Sequence, residues 1–257
     1  MLLTILGCSG SLPGPAGPAS GYLLRADGFH LVVDFGSGVL AALQTHCDPF
    51  AVDALLFSHL HPDHCSDFTA LTVLRRYHTH PPHDTSARRL PVHGPSDAAD
   101  RFARAYAENA RELATTDLSD VFEFNDLTED TIHIGPFDVT AVRVAHPCEA
   151  YGFRIATDTA SLVYTGDTGP CDAVRRLALG ADVLLAESTW SHTEDRPRGQ
   201  HMSGHQAGEA AAAGGVGRLL LTHIAPWTDP LGVLAEARAT FTGPVELAEQ
   251  GATYRIG

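Results

Sequence analysis

The segment 59–64 reads His-Leu-His-Pro-Asp-His and places four potential metal ligands within six residues. An extended chain points alternate side chains to the same side, so His59 and His61 face one position. Asp63 and His64 then turn toward a neighbouring position. Imidazole and carboxylate groups are ligands of zinc and of manganese. The segment therefore predicts one loop that supplies ligands to two metal ions.

Three further ligand-type residues each follow a short apolar run. His146 follows VTAVRVA, Asp167 follows SLVYTG, and His223 follows RLLLT. Functional groups gather at strand ends in many sheet proteins, so these runs are expected to deliver the three side chains to one edge. A carboxylate can bridge two cations through its two oxygens. We expect the three residues to complete the site.

The order of these residues resembles the metallo-β-lactamase superfamily, from residue 4 to about residue 225. The resemblance implies that His59, His61 and His146 hold the first divalent ion, that Asp63, His64 and His223 hold the second, and that Asp167 bridges them. It also implies that Asp34 orients the metal loop from behind the ligands. Zn²⁺ is the favoured ion, and Mn²⁺ is the second candidate.

The residue types at two ligand positions indicate which branch of the superfamily the sequence resembles. Asp167 stands where β-lactamases of this fold commonly have cysteine or serine, and His61 stands where di-iron flavoproteins have an acid. The segment from His201 to Glu209 resembles the ribonuclease Z-like branch, which implies that His201 protonates the leaving group. We expect the adjacent helix N-terminus to lower the proton affinity of His201 somewhat. The expected catalytic residues are thus Asp63, Asp167 and His201.

Five longer stretches resemble an actinobacterial group of ribonuclease Z-like proteins that includes an atypical cyclic-AMP phosphodiesterase. They run from Leu6 to Pro15, His61 to Asp67, Arg143 to Gly152, Tyr164 to Asp172 and Leu221 to Pro230. The resemblance implies hydrolysis of cyclic nucleotides or small phosphodiesters by a hydroxide shared between two ions. The alternatives are another metallo-hydrolase (a ribonuclease Z-like nuclease, a lactonase or a thioesterase) or a non-catalytic metal- or nucleotide-binding protein.

Charge and chain length restrict the partners. The formal net charge is −14, and all 17 basic residues are arginine. An acidic surface opposes binding of long polyanions. Ribonuclease Z recruits tRNA through a long arm, for which residues 147–166 leave no room. We expect a small phosphodiester substrate and no tRNA exosite, and the sequence leaves a homodimer open.

The rest of the sequence shows runs of predicted strands interrupted by predicted helices. This order indicates two mixed β-sheets flanked by helices. The resemblance implies that they form the αββα sandwich of the metallo-β-lactamase fold, as one domain over residues 1–257. The expected strands are 2–6, 21–26, 29–34, 53–58, 137–145, 151–157, 161–166, 182–187 and 218–222. The expected helices are one after His64 that ends near Tyr77, then 97–113, 204–214 with Ser203 as cap, and 230–240.

Several smaller expectations follow from the same sequence. Residues 78–89 predict an exposed, mobile loop over the mouth of the active site. Trp190 and Trp227 are candidates for stacking on a base, with plain packing as the alternative. The five cysteines are expected to be small buried side chains. No apolar run is long enough for a membrane span, and the N-terminus lacks a signal-peptide pattern, so a cytoplasmic location is expected.

Overall fold

The computed structural model describes all residues, 1–257, as two β-sheets that pack face to face with helices on both outer sides. The strands are β1 (Leu2–Gly7), β2 (Gly21–Ala26), β3 (Phe29–Val33), β4 (Ala54–Leu56), β5 (Leu90–Gly94), β6 (Phe122–Asp126), β7 (Thr131–Ile134), β8 (Phe137–Arg143), β9 (Tyr151–Thr157), β10 (Ala160–Tyr164), β11 (Val183–Glu187), β12 (Arg218–Thr222), β13 (Val245–Leu247) and β14 (Thr253–Arg255). The helices are α1 (Val39–Leu43), α2 (Pro62–Cys65), α3 (Phe68–Tyr77), α4 (Ala98–Tyr106), α5 (Ala110–Leu113), α6 (Asp172–Ala178), α7 (Gly204–Gly214) and α8 (Pro230–Thr240). The predicted αββα sandwich is confirmed.

Both sheets mix parallel and antiparallel pairs. The strand order is β14-β1-β2-β3-β4-β5-β6 in the first sheet and β13-β12-β11-β10-β9-β8-β7 in the second. Strands β3 to β6 run parallel to one another in the first sheet. Strands β10 to β13 do so in the second. The carboxyl ends of each parallel set therefore meet at one edge.

The alternation of side chains along the strands builds the core between the sheets. In β8, Phe137, Val139 and Ala141 are buried, whereas Asp138 between them is exposed. The three apolar side chains belong to a cluster that also holds residues of the first sheet, such as Ile5. A strand in which every second side chain is apolar has one apolar face, and packing against the other sheet removes this face from solvent.

Helices cover the outer faces through two further apolar clusters. On the first sheet, Phe68 of α3 stacks on Phe102 of α4 with ring centroids 3.8 Å apart. On the second sheet, α6, α7 and α8 contribute Val174, Ala211 and Val233. None of the helices has the length and apolar character needed to cross a lipid bilayer.

Most expected elements are present, and helix 204–214 begins as predicted. The Ser203 hydroxyl accepts from the backbone N–H of Gln206, while the Gln206 side chain accepts from the N–H of Ser203. The single helix expected over 97–113 is wrong, because the chain leaves the helix at Ala107 and starts a new one after Asn109. The Asn109 side chain accepts from two backbone N–H groups of the following turn, which competes with helix continuation.

The expected place of the loop 78–89 is also wrong. Most of its residues are exposed, as predicted. However, the loop precedes β5 and is held by contacts of Arg88 with Asp53 and of His83 with Phe50. Asp53 lies just before β4, whereas the metal loop follows β4. The loop 78–89 therefore packs at the opposite edge of the sheet from the candidate site.

Candidate metal centre

The seven candidate ligands follow the carboxyl ends of four strands. The 59–64 loop follows β4, His146 follows β8, Asp167 follows β10 and His223 follows β12. Strand β9 is antiparallel to both β8 and β10, so β8 and β10 point the same way. Because β12 is parallel to β11 and β11 to β10, all three strands of the second sheet end at one edge. The structure brings the seven side chains together there.

The first position is formed by three imidazoles. Nε2 of His59 lies 3.0 Å from Nδ1 of His61, and Nε2 of His146 lies 3.2 Å from the same Nδ1 atom. Two nitrogens bound to one tetrahedral zinc at 2.0–2.1 Å are about 3.3 Å apart. The spacing of the three nitrogens thus fits a single ion.

The second position joins two carboxylates and two imidazoles. Nε2 of His223 lies 3.2 Å from Nε2 of His64 and 3.1 Å from Oδ2 of Asp63. Asp167 lies between the two positions: Oδ2 is 3.7 Å from Nε2 of His59, and Oδ1 is 3.2 Å from Nε2 of His64. Oδ1 of Asp167 is buried and has no hydrogen-bond partner. A buried orphan oxygen aimed into a cluster of nitrogens fits a metal ligand.

Asp34 organises the cluster from behind, as the resemblance implies. Its Oδ2 atom accepts 2.8 Å hydrogen bonds from Nδ1 of His64, from the Tyr164 hydroxyl and from the Ser58 hydroxyl. With its own proton donated to Asp34, Ser58 Oγ can accept from Nδ1 of His59 at 3.1 Å. These bonds place the protons of both imidazoles on Nδ1 and leave Nε2 free as a ligand.

His146 and His223 also face the cluster with Nε2, and the Nδ1 atom of each has a hydrogen-bond partner. Nδ1 of His146 donates to the backbone carbonyl of Gln200 at 2.9 Å. Nδ1 of His223 lies 2.8 Å from the hydroxyl of Thr189, which itself donates to Oε2 of Glu187. His223 holds a left-handed backbone with φ of 55°, as Asp34 does with 56°. Strained backbone of this kind is commonly kept at functional sites.

One glycine allows the metal loop to approach the sheet. A Cβ atom on Gly36 would lie 2.0 Å from the carbonyl oxygen of Asp63. No side chain larger than hydrogen fits at that distance. The VVDFGSG segment therefore serves the centre twice, through the Asp34 carboxylate and through the bare backbone of Gly36.

The charge balance of the cluster also suits cations. Burial opposes ionisation of Asp63 and Asp167, but hydrogen bonds and charges from His223 and His64 hold the pKa of both carboxyls far below the usual range. Burial and the neighbouring charge of His64 lower the pKa of His59. Burial opposes the charged form of His64, but Asp167 and Asp34 outweigh it and raise the pKa of His64. The site thus offers two carboxylates and a neutral His59, and a metal ion bound there would take the place of the His64 proton.

His201 lies beside this cluster and is paired with Glu187, a residue that the sequence analysis missed. Nδ1 of His201 donates to Oε1 of Glu187 at 2.9 Å. Burial lowers the pKa of His201, but the charge and hydrogen bond of Glu187 outweigh it and raise the pKa to about 9. The pKa of His201 is thus raised, whereas the sequence analysis expected it to be lowered. The available signal was the acid that ends the apolar strand Val183–Glu187.

A cleft of about 710 Å³ opens next to His201. Trp190 forms part of its wall, with its ring edge-on to His201 at a centroid distance of 5.1 Å. The guanidinium of Arg196 lies over the Trp190 ring, 5.2 Å from the ring centroid. The second candidate, Trp227, is 71% exposed and lines none of this cleft.

The cysteines differ from the expectation of uniform burial. All five are free, and only Cys65 is buried. Cys148 lies two residues after His146, and its sulfur is within 4.8 Å of the ligand nitrogens of His59, His61 and His146.

Comparison with known proteins places this fold and site in a family. The sequence model described as the beta-lactamase superfamily domain matches residues 30–224. The chain belongs to the metallo-β-lactamase superfamily, in the branch that includes ribonuclease Z and YhfI-like metallo-hydrolases.

Relatives match along nearly the whole chain. An uncharacterised protein of Mycobacterium leprae is 48% identical over 257 residues, covering 99% of this chain and 88% of that protein. The probable metallo-hydrolase YhfI of Bacillus subtilis is 28% identical over 252 residues, covering 98% of each. Ribonuclease Z of Mycolicibacterium gilvum is 31% identical over 254 residues, covering 89% of this chain and 85% of the other.

Solved structures agree on the fold. The crystal structure of YhfI from Bacillus subtilis superposes with a TM-score of 0.86 at 27% identity, covering 100% of this chain and 99% of that one. Human tRNase Z, short form, gives a TM-score of 0.76 at 22% identity, with 100% of both chains covered. Together with the cluster of ligand atoms, these results identify the chain as a metallo-hydrolase of this fold.

Proposed function

We propose that this protein hydrolyses small phosphodiesters, with 3',5'-cyclic nucleotides such as cyclic AMP as its main substrate class. The observation that carries the proposal is the His201–Glu187 pair next to a cluster that can hold two ions. A ribose oxygen is a poor leaving group unless it is protonated as it departs. The imidazole of His201 can supply this proton. The thiol leaving group of a thioester departs as a thiolate and needs no such donor.

The residues of the cluster divide the work as follows. The seven ligand-type residues would hold two divalent ions, with Zn²⁺ favoured, and these would supply Lewis acidity that lowers the pKa of water and neutralises phosphoryl charge. Asp63 and Asp167, which stay ionised, would hold the ions and orient the attacking hydroxide. His201 gives the proton on Nε2 to the departing oxygen, while Glu187 accepts from Nδ1–H and holds the ring in place.

The shape and charge of the surroundings support a small substrate. Between His146 and Asp167 the chain forms only the β9–β10 hairpin, joined by the two residues Asp158 and Thr159. The net charge of −14 opposes a long polyanion, whereas in the cleft beside His201 the charges of Arg196 and Arg198 balance those of Glu194 and Asp195. Trp190 in the same cleft offers a ring on which a base can stack.

A second candidate is ribonuclease Z-like cleavage of short RNA, which the Mycolicibacterium gilvum relative favours. The two candidates share metals and acid and differ in the size of the substrate.

A substrate panel tests the proposal. Metal-replete protein is incubated with 3',5'-cyclic AMP, bis(p-nitrophenyl) phosphate, a short single-stranded RNA, a tRNA precursor, a lactone and a thioester. We expect kcat/KM to be highest for the cyclic nucleotide and turnover of the tRNA precursor to be absent. An Asp167→Asn variant serves as the control for contaminating enzymes. Higher kcat/KM for the lactone, the thioester or either RNA would overturn the assignment.

A further inference from the structure

The first metal position has a further candidate donor besides its three imidazoles and the Asp167 carboxylate that lies between the two positions. The sulfur of Cys148 and the ligand nitrogens of His59, His61 and His146 all lie within 4.8 Å of one another. Cys148 lies between β8 and β9, in the same short segment as His146. The second position, by contrast, gathers only oxygen and nitrogen donors, from Asp63, His64, Asp167 and His223.

The Cys148 sulfur is free to move toward an ion. The sulfurs of Cys8 and Cys65 are tied to backbone carbonyls by hydrogen bonds, whereas the Cys148 sulfur forms none with another residue. A zinc ion with bonds of about 2.3 Å to sulfur and 2.0–2.1 Å to nitrogen separates these atoms by about 3.6 Å. The present separations are at most 4.8 Å and so exceed this spacing by about 1.2 Å at most.

We propose that Cys148 is a further ligand of the ion held by His59, His61 and His146, and that it makes this position selective for Zn²⁺ over Mn²⁺. When it binds, the thiol loses its proton to solvent and the thiolate donates an electron pair to the ion. Thiolate is a soft ligand that favours zinc, whereas carboxylates serve manganese as well. The two metal positions therefore differ in preference, and the second accepts either ion.

Cobalt substitution tests this ligand directly. The protein is titrated with Co²⁺, and the near-ultraviolet sulfur-to-cobalt charge-transfer band is recorded for wild type, Cys148→Ser, Cys148→Ala and Cys47→Ser. Cys47 is a half-buried cysteine outside the centre and gives the matched control. We expect the band in wild type and Cys47→Ser and its loss in both Cys148 variants. No band in wild type, or an equal band in Cys148→Ala, would overturn the proposal.

Metal competition measures the selectivity. The Cys148→Ala variant should lose a factor of about ten or more in its preference for Zn²⁺ over Mn²⁺ at one of its two positions, since even outer-shell changes cost 10–100-fold in affinity. An unchanged preference would contradict the selectivity.

If the variants fold poorly, cysteine labelling of the wild-type protein tests the ligand assignment. Saturating Zn²⁺ should protect Cys148, but not Cys47, from iodoacetamide, as read by peptide mass spectrometry. Equal labelling of Cys148 with and without Zn²⁺ would overturn the ligand assignment. The inference needs the metal centre but not phosphodiester hydrolysis, and no substrate enters these measurements. Its failure and the failure of the proposed activity are therefore distinguishable.

Discussion

Nδ1 of His201 lies 2.9 Å from Oε1 of Glu187, a carboxylate that is completely buried. The same carboxylate accepts from the backbone N–H of Thr168 and from the hydroxyl of Thr189. Glu187 is thus fixed by its own hydrogen bonds and in turn fixes the His201 ring. This pairing gives the candidate acid a defined orientation next to the metal cluster.

Replacement of His201 by alanine should impair substrates with poor leaving groups selectively. We expect kcat/KM for 3',5'-cyclic AMP to fall by about 10²–10⁴-fold, because the departing ribose oxygen loses its proton donor. Turnover of bis(p-nitrophenyl) phosphate should fall much less, since nitrophenolate leaves without a proton. Metal content by elemental analysis should not change. Equal losses on both substrates, or loss of metal, would show that His201 is structural or a ligand.

Replacement of Glu187 by glutamine should give a weaker form of the same selective defect. The amide keeps the shape of the side chain and can still accept from Nδ1 of His201, but it no longer stabilises the charged ring. We expect a loss of about tenfold to 10³-fold for the cyclic nucleotide, with both ions retained. The measurement is the ratio of kcat/KM for 3',5'-cyclic AMP to kcat/KM for bis(p-nitrophenyl) phosphate. A ratio equal to that of wild type would rule out action through His201.

Replacement of Asp34 by alanine should release metal and destabilise the fold. Three buried donors lose their acceptor at Oδ2, and each unsatisfied group costs about 1–3 kcal/mol. We expect fewer than two ions per chain and a free energy of unfolding lower by about 3 kcal/mol or more. Tyr164→Phe removes one of these bonds without touching a ligand and should cost about 1 kcal/mol with metal retained. Full metal occupancy in Asp34→Ala would contradict the supporting role of Asp34.

Replacement of Trp190 by alanine should weaken binding of the base. Stacking of a base on an aromatic ring contributes about 1–3 kcal/mol, so KM for cyclic AMP should rise about 5- to 150-fold. Trp227→Ala removes an exposed ring outside the cleft and should leave KM unchanged. The reverse pattern, with Trp227 affecting KM and Trp190 not, would place the base elsewhere.

Replacement of His93 by glutamine should make stability less dependent on pH. Burial lowers the pKa of His93 in the folded chain, although Glu123 opposes this. The unfolded chain therefore takes up a proton first as the pH falls below about 6.5, and wild type loses stability there. As the pH is lowered from about 7 to about 5, the free energy of unfolding should therefore fall more for wild type than for His93→Gln. Denaturant unfolding of both proteins checks this, and a shift toward wild type would contradict the sign.

The sequence could predict which side chains the fold brings together, because ligand-type residues that follow apolar runs are local signals. It failed where distant side chains decide the outcome. Glu187 looked like the end of a buried strand, and only the fold shows His201 beside it. The loop 78–89 was placed at the wrong edge, because its place depends on the parallel pairing of β4 with β5. The charge that raises the pKa of His201 likewise comes from a residue that spacing alone does not connect to it.

Metal-dependent hydrolysis of a phosphodiester is tested most directly by hydrolysis of 3',5'-cyclic AMP in H₂¹⁸O. We predict that the Zn²⁺-loaded protein releases adenosine monophosphate with one ¹⁸O atom in the phosphate group, that a chelator abolishes the release and that added Zn²⁺ restores it. A metal-replete protein with two ions per chain that releases no monophosphate, or release that persists after the metal has been removed, would contradict the claim.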